Sequence, residues 1–399
     1  MKCFAILEEM QELTAQISAW REDFHAHPEL AFQEKRTSGI IAEFLRSLGL
    51  EVKTGIAGTG IIAYLRVNPS YPMVALRADM DAIAATEKTD VPYRSQVDNV
   101  AHLCGHDGHS AALMGAAKVL VNHRDELKCN VKLIFQPAEE ICKGSAAMIR
   151  EGVMEDVDFI FGGHVTPSSQ IGTFRVVPDA AYCSSDSFNI RVKGIPAHSD
   201  VPSAGIDPVQ AACELVQSIY QLHTEVNPWV YKTLIVNTIR ANETGNVTED
   251  GVMYSTTAEE VLIGGGYTTL DRNARKFMER RIREKAEYVC KANRCEVDVE
   301  FIHVCPVLYN DVQQCKYVQQ LMEATYGEGC VLNSPPSPIG DDMAMFLEEK
   351  PGVYFLTGIN PGRDPIPLNH NADFYMPSEA CVNQAAVLAM IAINFNQGE

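Results

Sequence analysis

The sequence predicts an α/β protein with a mixed central sheet, helices on both faces of that sheet, and an inserted two-layer α+β module. Three observations predict this fold class. Apolar strands alternate with helices in the first part of the chain, the pattern changes near residue 184 to a strand-rich order, and after residue 306 it changes back. Such alternation is typical of a sheet covered by helices. At 399 residues the chain also exceeds the usual limit of one hydrophobic core.

The first part of the chain contains strands that end in polar residues. One apolar strand runs into Asp79 and Asp81, another runs into Glu139 and Glu140, and a third ends at His164. Ligands of open α/β sheets gather beyond the carboxyl ends of the strands, so these side chains are site candidates. The predicted elements are helix 5–48, strands 60–65 and 73–77, helix 110–121, and strands 130–135 and 159–161.

The middle of the chain predicts a separate module with the order βαββαβ. This order, with a long amphipathic second helix, fits a small two-layer α+β fold. Its predicted elements are strand 187–193, helix 206–222, strands 233–241 and 256–263, helix 271–292 and strand 295–304. After the module we predict helix 311–326, strand 352–357 and helix 377–395. We therefore expect a discontinuous catalytic domain, residues 1–183 and 307–399, with residues 184–306 inserted.

The composition excludes several classes of partner. A formal net charge of -19 disfavours nucleic acid and anionic membrane surfaces, because both are bound through basic patches. The sequence contains no apolar run long enough to span a bilayer, and its first apolar stretch is too short for a secretory leader, so we expect none. The 12 cysteines are scattered singly, as expected for free thiols in a reducing compartment. We expect a cytoplasmic protein.

The segment from His102 to His109 places four soft or borderline metal ligands within eight residues. In an extended stretch, residues 102, 104 and 106 point to the same side, so a thiolate and two imidazoles can converge. Imidazole and thiolate suit zinc and its first-row neighbours. Dispersed carboxylates favour an open or two-metal catalytic site over a closed structural one. Because Glu139 and Glu140 are adjacent, we expect one to bind metal and the other to handle a proton.

Several motifs in this order resemble the M20 metallopeptidase family. The resemblance is to its amidohydrolase branch, which contains hippurate hydrolases, N-acyl-amino-acid amidohydrolases and auxin-conjugate hydrolases. The motifs lie at 25–30, 75–81, 104–109, 135–140, 163–165, 197–198 with 207–208, and 370–374, where Ala372 replaces the proline of the family pattern.

The resemblance implies a binuclear metal centre with two divalent ions, Zn, Mn, Co or Ni. Its implied ligands are Cys104, His106, Glu140, His164 and His370. Glu139 would be the general base, and Asp81 would orient a metal ligand. His198 of the inserted module would help to stabilise the oxyanion in a neighbouring subunit, which implies a homodimer and a lid or dimerisation role for the module. We expect His102 and His109 to have structural hydrogen-bonding roles.

We therefore predict metal-dependent hydrolysis of the amide bond in N-acyl amino acids or similar small amides. The alternatives are a dipeptidase or carboxypeptidase on the same scaffold and a binding protein without catalysis. A covalent mechanism with Cys104 as nucleophile is a further rival.

The sequence departs from the family pattern at two places that concern the substrate pocket. The family's Gly-Thr-x-Arg motif has no arginine here, at 264–269, and Gly340-Asp341-Asp342-Met343 replaces a Gly-x-Glu-Asp-Phe-like stretch.

Overall fold

The chain forms two units, each with its own hydrophobic core. The structure is a computed structural model that describes residues 3–241, 245–248 and 251–396. The first unit comprises Met1–Ala181, Leu308–Pro335 and Asp341–Glu399, and the second comprises Tyr182–Val307 and Pro336–Gly340. The sequence placed residues 336–340 in the catalytic domain, whereas they group with the inserted unit. The functional roles of the two units stay predictions.

The helices follow one another along the chain with these bounds: α1 Cys3–Glu12, α2 Thr14–Ala26, α3 Lys35–Ser47, α4 His106–Asn122, α5 Gly144–Arg150, α6 Pro208–Tyr220, α7 Leu222–Glu225, α8 Arg272–Ala292, α9 Val312–Tyr326, α10 Met343–Glu349 and α11 Cys381–Ile393. The predicted helix 5–48 is interrupted, and residues 27–34 are not helical. Pro28 explains the break, because proline disfavours a helical conformation at the preceding residue.

The strands have these bounds: β1 Glu51–Ile56, β2 Gly60–Leu65, β3 Met73–Asp79, β4 Asn130–Gln136, β5 Phe159–Gln170, β6 Phe174–Arg175, β7 Asp179–Tyr182, β8 Ser184–Lys193, β9 Lys232–Ala241, β10 Gly245–Thr248, β11 Gly251–Tyr254, β12 Glu260–Thr269, β13 Glu296–Cys305, β14 Leu308–Asn310 and β15 Gly352–Asn360. No helix among the described residues is long and apolar enough to cross a membrane.

The central sheet of the first unit is mixed, which confirms the predicted fold class. Its strand order is β1-β2-β4-β3-β5-β15-β6. β3 runs parallel to β4 and β5, and β15 runs parallel to β5, whereas β1, β2 and β6 pair antiparallel with their neighbours. Helices cover both faces of this sheet. A Cβ on Gly162 would meet Met343 of α10, and a Cβ on Gly163 would meet Gln384 of α11. Successive strand residues point to opposite faces, so α10 and α11 lie on opposite sides.

The register of the parallel strands brings three polar positions to one level of the sheet. These positions are Asp79, Gln136 and His164. Asp79 pairs with Gln136, and Arg77, two residues before Asp79, pairs with Gly162, two residues before His164. The ends of β3 and β4 and the middle of β5 therefore form one edge of the site.

The inserted unit has the predicted βαββαβ order in β8, α6, β9, β12, α8 and β13. Its antiparallel sheet has the order β13-β8-β12-β9, and α6 and α8 pack against it. The third strand was predicted at 256–263, but β12 spans Glu260–Thr269 and continues through three glycines. A Cβ on Gly265 would lie 2.3 Å from the ring of Phe188, so the missing side chain allows close packing here instead of ending the strand.

Candidate metal centre

The loop before α4 brings two predicted ligands against β5. Gly105 has a φ of 107°, a left-handed conformation that favours glycine. A Cβ at this position would lie 2.3 Å from Cγ2 of Val165, so the loop can approach β5 only without a side chain here. As a result, Sγ of Cys104 lies 3.3 Å from Nε2 of His164.

The last predicted ligand comes from a loop that is tied to the same segment. The amide of His370 donates to the carbonyl of Leu103 over 2.7 Å, and Nδ2 of Asn369 donates to the carbonyl of Cys104 over 2.9 Å. Nε2 of His370 lies 3.4 Å from Oε2 of Glu140. These backbone contacts bring together residues that are far apart in the sequence.

The five predicted ligands form two overlapping groups. Cys104, His106 and His164 form one group, and Cys104, Glu140 and His370 form the other. Within each group the ligand atoms lie within 4.8 Å of one another. Because Cys104 belongs to both, the arrangement suits two adjacent ions, as in two-metal hydrolytic sites.

Two unsatisfied atoms show that these residues fit a divalent cation. Nε2 of His106 and Oε1 of Glu140 are buried, lie 3.8 Å apart and have no hydrogen-bond partner in the part of the chain that the structure describes. Buried polar atoms without partners are rare and require an explanation. Nδ1 of His106 donates to the carbonyl of Asp81 over 2.9 Å, which leaves the lone pair on Nε2 for a metal. Thiolate, imidazole and carboxylate are the donors that zinc and its neighbours bind.

The carboxylate of Asp81 holds the turn that contains both glutamates. The amide of Glu139 donates to Oδ1 of Asp81 and the amide of Glu140 donates to Oδ2, each over 3.0 Å. Asp81 was expected to orient a metal ligand. Its carbonyl contacts His106, and its carboxylate also fixes the backbone beside the predicted base.

Glu139 lies beside the ligands in a strongly acidic environment. Its Oε2 is 3.8 Å from Nε2 of His106. Burial, together with the carboxylates of Asp341 and Asp342, raises the pKa of Glu139 well above its usual value. A carboxylate with a raised pKa takes up a proton more readily than an ordinary surface glutamate.

A layer of paired buried charges lies next to the ligands. Nη1 of Arg77 donates to Oδ2 of Asp79 over 2.6 Å, and Nδ1 of His109 donates to Oδ1 over 2.6 Å. Nε2 of His109 accepts a hydrogen bond from the amide of Val165 over 3.0 Å. Both ring nitrogens of His109 are therefore used, which agrees with the hydrogen-bonding role expected for it. Burial raises the pKa of Asp79, but the neighbouring His106 and Arg77 lower it well below its usual value.

His102, the first histidine of the segment 102–109, is buried. Nε2 of His102 is buried without a hydrogen-bond partner among the described residues, and burial lowers the pKa of this ring to about 3. His25, also buried, does bind two carboxylates: its Nδ1 lies 2.8 Å from Asp107 and its Nε2 lies 3.1 Å from Glu87. Nε2 of His102 thus makes no hydrogen bond with the described residues, and the hydrogen-bonding role expected for this histidine stays a prediction.

His198 lies in the inserted unit, in the loop that follows β8. Its side chain is 63% exposed, and Nδ1 lies 3.7 Å from Oδ2 of Asp200. The proposed contact of His198 with an oxyanion therefore stays a prediction.

The segment that lacks the family arginine, residues 264–269, lies in β12 of the same unit. Tyr267 is 1% exposed and pairs across the strands with Asp186. The Asp186 carboxylate binds Arg275 of α8 over 2.7 and 2.8 Å. Arg275 of α8 therefore binds the strand that pairs with β12.

Sequence reasoning missed two residues that hold the site together. Gln136 accepts from Nε of Arg77 and donates to Asp342, and Glu34 accepts from the amide of Ala138 over 3.0 Å. Gln136 lies inside a recognised motif, so its position was a usable signal. Glu34 precedes Lys35 before a helix, a pattern that is typical of an exposed surface.

The chain is similar to known proteins over most of its length. Residues 75–394 match the profile of Peptidase family M20/M25/M40. A hippurate hydrolase of Campylobacter jejuni is 31% identical over 98% of this chain and 99% of the relative. Thermostable carboxypeptidase 2 of Saccharolobus solfataricus is 31% identical over 98% of this chain and 99% of the relative. The solved structure of the YXEP protein of Bacillus subtilis, a dinuclear metal binding peptidase from M20 family, matches with a TM-score of 0.79 at 28% identity, covering 96% of this chain and 99% of that one.

Gly105→Ala should destabilise the first unit more than an alanine at another left-handed glycine. Gly172→Ala is the matched control, because Gly172 has a φ of 82° and a Cβ added to it would meet no atom within 4 Å. We expect Gly172→Ala to lower the free energy of unfolding by about 1–2 kcal/mol through backbone strain alone. The contact with Val165 should cost Gly105→Ala about 1–3 kcal/mol more.

Urea unfolding of metal-free protein measures both values. A Val165→Ala substitution in the Gly105→Ala background should recover part of the loss in a double-mutant cycle. Equal losses for the two glycine variants would contradict the close approach of the loop to β5.

Proposed function

The chain belongs to peptidase family M20/M25/M40, a family of metal-dependent hydrolases of amide bonds, and on that premise we propose that it hydrolyses N-acyl amino acids or similar small amides. Membership confirms the resemblance predicted from the motifs. The observation that carries the proposal is the convergence of five candidate metal ligands, one of which, His106, lies 3.8 Å from Glu139. The Campylobacter relative is named for hydrolysis of hippurate, which is an N-acyl amino acid.

We propose two divalent ions, Zn, Mn, Co or Ni, as cofactors. The assigned ligands are Cys104, His106, Glu140, His164 and His370. When bound, such ions lower the pKa of a coordinated water and polarise the amide carbonyl. The choice among these metals rests on geometry and availability, because imidazole and carboxylate ligands accept all of them.

Glu139 moves the proton in the proposed reaction. Its carboxylate accepts a proton from the attacking water as the oxygen bonds to the amide carbon. The same carboxyl group then delivers that proton to the leaving nitrogen as the carbon–nitrogen bond breaks, so an acid and an amine are released. Asp81 and the backbone it binds keep Glu139 in place through both transfers.

His198 donates a hydrogen bond to the oxyanion in this proposal. The resemblance assigns that histidine to a neighbouring subunit, so we propose that the protein is a homodimer and that the inserted unit acts as its dimerisation domain and lid. The exposed ring of His198 is accessible to a partner. We also propose a cytoplasmic location, since all 12 cysteines are free thiols.

Carboxypeptidase or dipeptidase activity is the second candidate. The relative from Saccharolobus solfataricus is named a carboxypeptidase, and the metal chemistry of the two activities is the same. A covalent mechanism through Cys104 has less support, because burial raises the pKa of this thiol well above its usual value and so disfavours the thiolate. A binding protein without catalysis has the least support, since the proposed base and ligands are all present.

A substrate panel tests the proposal. N-acetyl and N-benzoyl amino acids, free dipeptides and N-blocked peptides are incubated with metal-reconstituted protein, and amine release is measured. We expect kcat/KM to be highest for the N-acyl amino acids. Turnover restricted to peptides would support the second candidate, and no turnover by protein with bound metal would favour a binding protein.

Glu139→Gln is the matched inactive variant for this panel. We expect it to bind metal as the wild type does and to lose about 10²- to 10⁴-fold in kcat, the usual contribution of a general base. Glu287→Gln, on the exposed side of α8, should have wild-type activity. Full activity of Glu139→Gln would remove the assigned base.

Metal removal separates the hydrolytic mechanism from the covalent one. After dialysis against a strong chelator, we expect activity to disappear and to return when Zn, Mn, Co or Ni is added. Elemental analysis should find two ions for each active chain. Activity that survives complete removal of metal would instead favour Cys104 as a nucleophile.

Complementation tests the proposed contribution of His198 from a second subunit. His198→Ala and Glu139→Gln should each be inactive as homodimers. Mixed under conditions of subunit exchange, they should give about a quarter of wild-type activity, because half of the dimers are mixed and each mixed dimer has one complete site. A mixture as inactive as its components would exclude sharing of the site between subunits.

A further inference from the structure

Glu34 is a buried carboxylate that binds the backbone of its own loop and the backbone of the turn that contains Glu139. The residue is 0% exposed and directly precedes α3, but its side chain does not cap that helix. Its Oε1 accepts from the amide of Phe32 over 2.9 Å and from the amide of Ala138 over 3.0 Å. Its Oε2 accepts from the hydroxyl of Thr59. A charge so deeply buried is costly unless it is hydrogen-bonded, and here both oxygens have partners.

Both amides that Glu34 accepts belong to residues with left-handed backbone. Phe32 has a φ of 62° and Ala138 has a φ of 55°. Residues other than glycine avoid this region and remain in it only where their surroundings hold them. One oxygen of Glu34 therefore holds two unfavourable conformations that are more than a hundred positions apart in the sequence.

Ala138 directly precedes the proposed base, and its amide is the first of three consecutive amides that donate to carboxylates. The consecutive amides of residues 138, 139 and 140 all donate to buried carboxylates, the first to Glu34 and the next two to Asp81. Asp81 also contacts the metal ligand His106 through its carbonyl. The hydrogen bonds of Glu34 reach the turn through Ala138, so Glu34 can affect the base without touching a ligand.

We propose that Glu34 is a positioning residue for Glu139. By holding Ala138 in its left-handed conformation, Glu34 sets the direction in which the Glu139 side chain leaves the turn. This inference rests on the proposed function, because it takes Glu139 as the general base. A displacement of about 1 Å at a reacting group can reduce a rate by about 10²-fold, so a small shift at Ala138 is sufficient.

Glu34→Ala and Glu34→Gln test this role. The alanine variant removes the acceptor, and we expect kcat to fall by about 10- to 100-fold while KM stays within about threefold and the metal content is unchanged. Glutamine has an oxygen that can accept from both amides and an amide group that can donate to Thr59, so its kcat should stay within about threefold of wild type. If Glu34→Ala does not fold, Glu34→Asp replaces it in the test. The aspartate side chain is shorter by one methylene, so its carboxylate lies farther from the two amides, and we expect a smaller loss of kcat than for alanine.

The assay uses hippurate or the N-acetyl amino acid of the panel, whichever has the higher kcat/KM, and hydrogen exchange gives a readout without substrate. In metal-free protein, the peptide 136–142 should exchange faster in Glu34→Ala than in wild type, and Glu34→Gln should protect it.

Asn130→Ala is the matched control for lost stability. Asn130 is also buried, and its Oδ1 accepts from two backbone amides, Val67 over 2.7 Å and Asn68 over 3.1 Å. It begins β4, whereas the turn with Ala138 follows the end of that strand, roughly 20 Å away. We expect Asn130→Ala to lower the melting temperature as Glu34→Ala does and to leave kcat within about twofold.

Three outcomes overturn the inference. These are a wild-type kcat in Glu34→Ala, a loss of kcat in Asn130→Ala as large as that in Glu34→Ala, and a Glu34→Gln variant as impaired as the alanine variant. In each case, an inactive Glu139→Gln leaves the proposed function in place. An active Glu139→Gln removes the proposed function itself, so the two failures are distinguishable.

Discussion

The carboxylate of Asp81 lies between the end of β3 and the turn that follows β4, and it binds two consecutive amides of that turn. The carbonyl of the same residue accepts from Nδ1 of His106. One residue thus connects a strand end, the turn with Glu139 and Glu140, and the ring of a candidate ligand. Charge-assisted hydrogen bonds to backbone amides are stronger than neutral ones, which lets this carboxylate stay buried and fixes the geometry around it.

The charges around the site depend on one another for the same reason. Arg77 is 1% exposed and binds Asp79 and Asp342, and Gln136 connects Arg77 with Asp342. Loss of one partner would leave an uncompensated buried charge, at a cost of about 3–5 kcal/mol. Burial and the carboxylates of Asp341, Asp342 and Asp79 nevertheless raise the pKa of Glu139, whereas His106 lowers it. Burial also raises the pKa of Asp342 to about 7. Divalent cations would balance these carboxylates.

Relatives on this scaffold include a hydrolase of an N-acyl amino acid and a carboxypeptidase. A metal centre of this kind serves both activities, so the difference between them must come from the residues that contact the rest of the substrate. In this chain the segment 264–269 contains no arginine, and Arg275 of α8 binds Asp186 on the strand that pairs with this segment.

The sequence by itself determined the fold class, the βαββαβ order of the inserted unit and the strand ends where the candidate ligands lie. These features depend on local hydrophobic patterns and on the rule that parallel strands end at one edge, so they leave a signal in short segments. The tertiary structure decided the rest. Glu34 resembles a surface residue until Ala138, 104 positions away, donates to it, and β12 continues through its glycines because Phe188 fills the space beside them. Such contacts join distant segments, and no local pattern records which segment will supply the partner.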